Sequence, residues 1–142
     1  MYKIGLQRML VVLGLLVAPF ACAEALLVQF NDLSSDKGVI RCGLFQDEAN
    51  WRKEDQAIRG VIATIHQGRA ICDFGDVPAG VYAVAAYHAE NIEDRLRFGF
   101  LGRPKQAVGF SMNPSRLFGA PSFDAAMFKM GQEPRVLVIE LD

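Results

Sequence analysis

The chain has few of the residues on which metal and nucleophilic sites depend. Its 142 residues include two histidines, three cysteines and one tryptophan. It has no H-E-x-x-H pair, no C-x-x-C, no P-loop and no complete dinucleotide fingerprint. The tripeptide His88-Ala89-Glu90 matches half of the zinc deaminase signature, but no cysteine follows position 72 to supply the remaining ligands. These absences exclude the enzyme classes that those motifs define.

The N-terminal apolar segment is too short to cross a membrane. It covers residues 9–18, whereas a spanning helix needs about 20 apolar residues. Lys3 and Arg8 precede it, and an A-x-A pattern ending at Ala23 follows it. This order predicts a secretory signal peptide over residues 1–23, cleaved after Ala23.

A lipoprotein signal is the alternative at this terminus. It would use Cys22 as the lipidated residue, but Pro19 stands where such a signal normally has leucine. We therefore expect a mature chain of residues 24–142, located in the periplasm or secreted. All 16 acidic residues and 13 of the 15 basic ones lie in that part, so its net charge is −3. Mild acidity disfavours nucleic acid as a partner.

Two cysteines remain after the predicted cleavage. Cys42 and Cys72 each lie in a strand-like segment and share its alternating face with apolar residues. An even pair in an oxidising compartment favours a disulfide, which would stabilise the fold by roughly 2–4 kcal/mol. Two separate buried thiols are the alternative.

Short alternating or β-branched runs dominate the rest of the chain. Such runs, bounded by Gly, Pro, Asn or Asp, are typical of strands. A charged segment at 47–59 favours a helical turn or a long loop. No long amphipathic helix separates the strands, which disfavours a parallel α/β fold. We predict one all-β domain over 24–142, an antiparallel sandwich of about seven strands, with a closed barrel as the alternative. The strand-like runs are 25–31, 39–46, 61–66, 69–74, 81–88 and 134–142.

Regular patterning weakens near residues 89–128. Loops much longer than about 12–15 residues in a compact domain are usually functional or mobile. The aromatic residues of this region would either anchor a long loop to the domain or form a recognition platform for sugars or peptides. They are Tyr87, Phe98, Phe100, Phe110, Phe118, Phe123 and Phe128.

Polar residues at the start of this region are the first candidate binding residues. His88, Glu90, Asn91 and Asp94 follow one another at the exit of the apolar run 81–88. Clustered oxygen ligands suit calcium, although the spacing differs from that of a calcium-binding loop, and a solvated acidic loop is the alternative. We expect no cofactor and no metal ligand set. The next polar candidates are Arg103, Lys105 and Ser111.

A series of motifs runs through the predicted mature chain: Gly38-Val39, Leu44-Phe45, residues 74–87 with a Pro-Ala-Gly turn, His88 with Asn91, residues 100–105, Gly109-Phe110-Ser111, residues 118–123, Ala125-Ala126 and Phe128. In this order the motifs resemble the DUF2141 family of uncharacterised exported bacterial proteins. The resemblance implies a transthyretin-like or immunoglobulin-like β-sandwich, a loop similar to calcium loops and no established activity. At Ala89, Ile92-Glu93 and Met112 this chain departs from the family pattern and loses oxygen ligands and a turn glycine.

These observations favour a non-enzymatic, exported module that binds a protein or a carbohydrate of the cell envelope. It would have no membrane span after signal cleavage. One alternative is a hydrolase in which His88 acts as a general base with a nearby carboxylate. Another is a purely structural domain in which the long loop covers the core.

Overall fold

The computed structural model describes residues 22–142, which form an all-β fold. Within that range there are eight strands, one turn of α-helix (α1, Phe123–Ala126) and two 3-10 turns, Glu54–Gln56 and Phe100–Gly102. The predicted signal peptide lies outside the described residues except for its last two positions. No helix in the described range is long and apolar enough to cross a membrane. The strands are β1 (Ala23–Phe30), β2 (Val39–Phe45), β3 (Arg59–Thr64), β4 (Ala70–Pro78), β5 (Gly80–Ala89), β6 (Val108–Phe110), β7 (Phe128–Met130) and β8 (Arg135–Val138).

The strands form two sheets that pack as a sandwich. One sheet has the order β4-β1-β8, and the other has the order β3-β2-β5-β6, with β7 also paired to β5. The β1 and β8 strands pair in parallel, and the other strand pairs are antiparallel. The predicted all-β sandwich is confirmed.

A disulfide crosses the core between the two sheets. Alternate residues of each strand point inward, so Cys42 of β2 and Cys72 of β4 lie buried among apolar side chains. Their sulfur atoms are bonded, and the two residues are 30 positions apart in sequence. The predicted Cys42–Cys72 bridge is therefore confirmed, and it links one sheet to the other.

Strand β5 is buried on both faces. Val84 and Ala86 point into the core between the sheets, while Ala83 and Tyr87 point to the opposite side of the five-stranded sheet. This explains the continuous apolar run of 81–88, because a strand covered on both faces does not alternate. A second core covers its outer face, and we call it the outer cluster. Its members are Phe45, Trp51, Ala83, Tyr87, Ala89, Val108, Phe110, Phe123 and Ala126.

The region expected to be one long loop is divided by regular structure. Strand β6 pairs with β5, and α1 is capped at its N-terminus by Ser122, whose hydroxyl accepts a hydrogen bond from the amide of Ala125 at 3.2 Å. Both elements are too short to produce a recognisable sequence period. Outside them, two loops remain: the first loop, residues 95–106, and the second loop, residues 112–120.

The C-terminal segment connects the two sheets. The amide of Ile139 donates to the carbonyl of Gln29 at 2.9 Å, which continues the pairing with β1. The chain then reaches the other sheet, where Val108 and Asp142 exchange two hydrogen bonds of 3.1 Å. The predicted strand at 134–142 is thus found at 135–138, and its last residues change sheets.

Candidate functional site

An open groove lies over the outer face of the five-stranded sheet. Its volume is about 1570 Å³, and the first and second loops form its walls. Arg41 and Tyr87 lie on its floor, Leu101 comes from the first wall, and Leu117 and Phe118 come from the second. A site this large and open exceeds the roughly 300–1,000 Å³ of small-molecule pockets, so it suits an extended surface better than a small ligand.

The first loop is a braced, hairpin-like structure. The amide of Lys105 donates to the carbonyl of Arg97 at 2.8 Å, and the amide of Gly99 donates to the carbonyl of Arg103 at 2.7 Å. The Gln106 side chain donates to the carbonyl of Arg95 at 2.8 Å and accepts from the backbone amide of Arg97 at 2.9 Å. These bonds fix the base of the loop and leave its tip, at residues 100–102, projecting outward.

The second loop is held at its base by Asn113 and Arg116. The side-chain amide of Asn113 donates to the carbonyl of Val138 and accepts from the backbone amide of Glu140, both at 3.0 Å. It therefore pairs with the C-terminal segment as a neighbouring strand would. Arg116 donates to the carbonyl of Val108 at 3.0 Å and forms an ion pair with the side-chain carboxylate of Asp142. Beyond these contacts, residues 117–120 are exposed.

The floor of the groove contains a polar network in which the charges of Arg41 and Glu54 are paired. Arg41 lies 3.1 Å from the carboxylate of Glu54, and the Tyr87 hydroxyl donates to the same carboxylate at 3.0 Å. Burial, together with the hydrogen bond to Glu54, raises the pKa of Tyr87 to about 12. Arg41 also donates to the carbonyl of Ile92 at 2.6 Å. The network therefore holds the segment that leads into the first loop against the sheet.

Large apolar side chains are exposed on both walls. Phe118 is 102% exposed, Phe100 is 87%, Leu117 is 86%, Leu101 is 80% and Phe98 is 57%. In contrast, the aromatic rings of the outer cluster are almost fully buried. The aromatic residues of 87–128 thus divide into anchors that hold the loops and exposed rings near the loop tips.

His88 lies on the opposite side of the sheet from the groove. It shares the inward face of β5 with Val84 and Ala86, because alternate residues of a strand point the same way. Its Nε2 atom is 2.6 Å from the carbonyl of Lys37, which can only accept, so this nitrogen donates. Within residues 22–142 the imidazole forms no hydrogen bond with a carboxylate or a hydroxyl.

The acidic residues after His88 form a closed turn. Asp94 accepts hydrogen bonds from the backbone amide and the side-chain amide of Asn91, at 3.0 and 3.2 Å. Glu90 is exposed next to this turn. In the described part of the chain, no group of three or more His, Cys, Asp or Glu side chains is arranged to hold a metal ion.

The other three predicted residues lie in two different environments. Arg103 and Lys105 are exposed on the first loop, and Arg103 lines the groove. Ser111 is 0% exposed and does not line the groove. Its hydroxyl accepts from the amide of Val84 at 2.9 Å and donates to the carbonyl of Ala126, which ties β6 to β5 and α1.

The sequence reasoning missed most of the groove-forming residues. Arg41 and Leu117 belong to no motif that would single them out, and the motif at residues 100–105 contains Leu101 without indicating a role for it. One signal was available: residues 95–123 contain five basic residues and no acidic one, whereas the rest of 24–142 has a net charge of −8. This local asymmetry marks the segment that contains both loops as basic.

The fold and the groove together define a small, disulfide-bridged β-sandwich with a loop-walled groove on one sheet. A family model described as "Uncharacterized protein conserved in bacteria (DUF2141)" matches residues 28–137. The chain belongs to this family, as its motifs indicated. No curated protein and no solved structure matches the chain.

Proposed function

We propose that the protein is an exported, non-enzymatic module that binds a component of the bacterial cell envelope through its groove face. We define the groove face as the first loop, the second loop and the groove between them. The observation that carries the proposal is the exposure of five large apolar side chains on loops whose bases are held by hydrogen bonds. Contiguous exposed apolar surface commonly marks a binding site.

Export is supported by two independent features. The order of basic, apolar and small residues in 1–23 is that of a signal peptide. The Cys42–Cys72 disulfide is compatible with an oxidising compartment such as the periplasm. In this proposal the mature protein is one domain of residues 24–142.

The arrangement of polar side chains favours binding over hydrolysis. A hydrolase of the type considered above requires His88, a carboxylate and a nucleophile to converge. The His88 imidazole instead donates to a backbone carbonyl on the face opposite the groove. Ser111 is fully buried, and its hydroxyl is engaged in hydrogen bonds with the backbone.

A purely structural role accounts for only part of the loop region. Phe110 and Phe123 are buried in the outer cluster, as that role requires. The rings of Phe100 and Phe118 are exposed and cover no core. The bases of the loops therefore stabilise the fold, and their tips are available to a partner.

The proposal is tested by co-sedimentation of the purified mature protein with envelope fragments of its bacterial host. We expect saturable binding, weakened about tenfold or more in the double variant Leu101→Ser/Phe118→Ser, because burying one such side chain contributes about 1.5–3 kcal/mol. The matched control is Val136→Ser/Val138→Ser, which removes exposed valines from the other sheet. Absent binding, or an equal loss in both variants, would refute the proposal.

A further inference from the structure

We infer that the groove face binds the surface of an anionic lipid bilayer, into which the tips of both loops insert. This inference rests on the proposed function, since it names the partner of the same face. It requires three features to coincide: apolar side chains that project from the protein, positive charge around them and firm attachment of the loops that carry them.

The apolar side chains are placed for insertion. Phe100 and Leu101 occupy the 3-10 turn at the tip of the first loop, where Leu101 adopts a left-handed backbone with φ of 59°. Leu117 and Phe118 lie in the exposed part of the second loop. Both loops border one groove, so their tips belong to one side of the molecule. Apolar groups presented in this way can enter the boundary between lipid headgroups and acyl chains.

Uncompensated positive charge surrounds the first tip. Arg97, Arg103 and Lys105 are exposed and form no ion pair with any carboxylate of residues 22–142. The whole segment 95–123 contains no acidic residue, although the chain as a whole is acidic. Each such cation near an anionic membrane strengthens binding about fivefold.

The distribution of polarity across the groove favours lipid over a protein partner. Protein interfaces have an apolar, desolvated centre and a polar rim. Here the floor of the groove includes the paired charges of Arg41 and Glu54, and the most exposed apolar side chains of its lining lie on its walls. A bilayer accepts this arrangement, because it contacts the projecting tips first and leaves the groove floor hydrated.

The loops are anchored firmly enough to carry such an insertion. Gln106 braces the first loop, and Asn113 fixes the second loop to the C-terminal segment. Little conformational freedom remains to be lost at the bases when the tips are buried in lipid. The expected binding is peripheral and reversible, and it weakens as salt screens the cations.

The inference is tested with vesicles of phosphatidylcholine alone and vesicles containing phosphatidylglycerol. The reporter is Phe100→Trp, because tryptophan fluorescence shifts to the blue when the indole enters the membrane. Trp51 is already buried, so a blue shift reports the indole at position 100. We expect a blue shift and co-sedimentation only with phosphatidylglycerol, both reduced by high salt. Leu101→Ser/Phe118→Ser should weaken binding about tenfold or more.

Charge removal provides a second, independent test. The triple variant Arg97→Gln/Arg103→Gln/Lys105→Gln should weaken binding to phosphatidylglycerol vesicles about a hundredfold. The matched control removes three exposed cations from elsewhere on the molecule and should bind as the wild type does. It is Lys37→Gln/Arg69→Gln/Lys129→Gln.

The outcomes separate this inference from the proposed function. Binding to envelope fragments without binding to phosphatidylglycerol vesicles would overturn the lipid inference, leave the proposed function standing and identify the partner as a protein or a polysaccharide. Self-association that the Leu101→Ser/Phe118→Ser variant abolishes, without vesicle binding, would overturn it in favour of a second copy of the chain. Vesicle binding that neither tip nor charge variants weaken would also overturn it.

Discussion

The indole nitrogen of Trp51 donates a hydrogen bond to the carbonyl oxygen of Pro121, 2.9 Å away and 70 residues later in the chain. The same indole packs against Phe45, Phe110 and Phe123, with ring centroids 5.4, 5.9 and 5.9 Å apart. The segment before β3, the end of β6 and the start of α1 therefore meet at one side chain. This contact fixes the second loop at the end that leads into α1.

Phe123→Ala should destabilise the protein strongly, whereas Phe118→Ala should not. Phe123 is buried against Trp51, so its truncation leaves a cavity and costs about 3–5 kcal/mol. Phe118 is fully exposed, and we expect a change within about 0.5 kcal/mol. Urea unfolding followed by circular dichroism measures both values. Equal effects of the two substitutions would contradict the division into anchors and exposed rings.

Stability should fall as pH rises from about 10 to about 12, in part because of Tyr87. Its pKa is raised from the ordinary value of 10.0 to about 12 by burial and by the hydrogen bond to Glu54. A group with a raised pKa stabilises the fold fully below its unfolded pKa and loses this contribution as pH passes its folded pKa.

The measurement is a comparison of the wild type with Tyr87→Phe. The difference in tyrosinate absorbance between the two proteins, followed against pH, gives the pKa of Tyr87. Chemical unfolding at each pH gives the free energy of unfolding of each protein. The variant should lose less stability than the wild type over this pH interval. A Tyr87 titration near pH 10 would contradict both the burial of its hydroxyl and the contact with Glu54.

Removing the disulfide should destabilise the fold. The bridge joins residues 30 positions apart, and the chain-entropy model gives a loss of about 3–4 kcal/mol for Cys42→Ala/Cys72→Ala. Unfolding in urea measures this difference.

A thiol count on the denatured mature protein, made without reductant, checks the same bridge. We expect no free thiol before reduction and two after it. One free thiol before reduction would indicate that Cys22 is retained, which would contradict cleavage after Ala23. Two free thiols before reduction would contradict the bridge itself.

Gly109→Ala should disturb the contact between β6 and the C-terminal segment. A Cβ atom at this position would overlap the carbonyl oxygen of Glu140 and lie 2.6 Å from Cγ2 of Ile139. Forcing these groups apart should cost about 1–3 kcal/mol. Gly131→Ala is the matched control, because its Cβ would meet no atom within 4 Å. Thermal unfolding of both variants measures the effect. Equal melting temperatures would refute the close approach of Gly109 to Ile139 and Glu140.

Much of the fold was predictable because its signals are local. The alternation of Leu26, Val28 and Phe30 predicts a strand with one buried face, and all three are fully buried. The continuous apolar run of 81–88 predicts a strand covered on both sides, and β5 is such a strand. Strands β6 and β7 escaped prediction, because each has three residues and depends on β5 for its hydrogen bonds.

The candidate site was predictable only in part. Arg103 and Lys105 were identified as exposed polar residues of the long loop region, and they lie on one wall of the groove face. His88 and Ser111 are close to that wall in sequence but not on the exposed surface of the groove. Alternate residues of β5 point to opposite faces of the sheet, so His88 lies on the face opposite the groove. Ser111 is buried against α1, where its hydroxyl donates to the carbonyl of Ala126.

The sequence by itself determined the all-β class, the pairing of its two strand cysteines as a candidate bridge and the family to which the chain belongs. These follow from periodicity, residue type and motif order, which are properties of neighbouring residues. Only the tertiary structure decided that Phe123 is buried while Phe118 is exposed. Both are phenylalanines in the same irregular region, and their burial depends on Trp51, which lies more than 60 residues earlier in the chain and covers only Phe123.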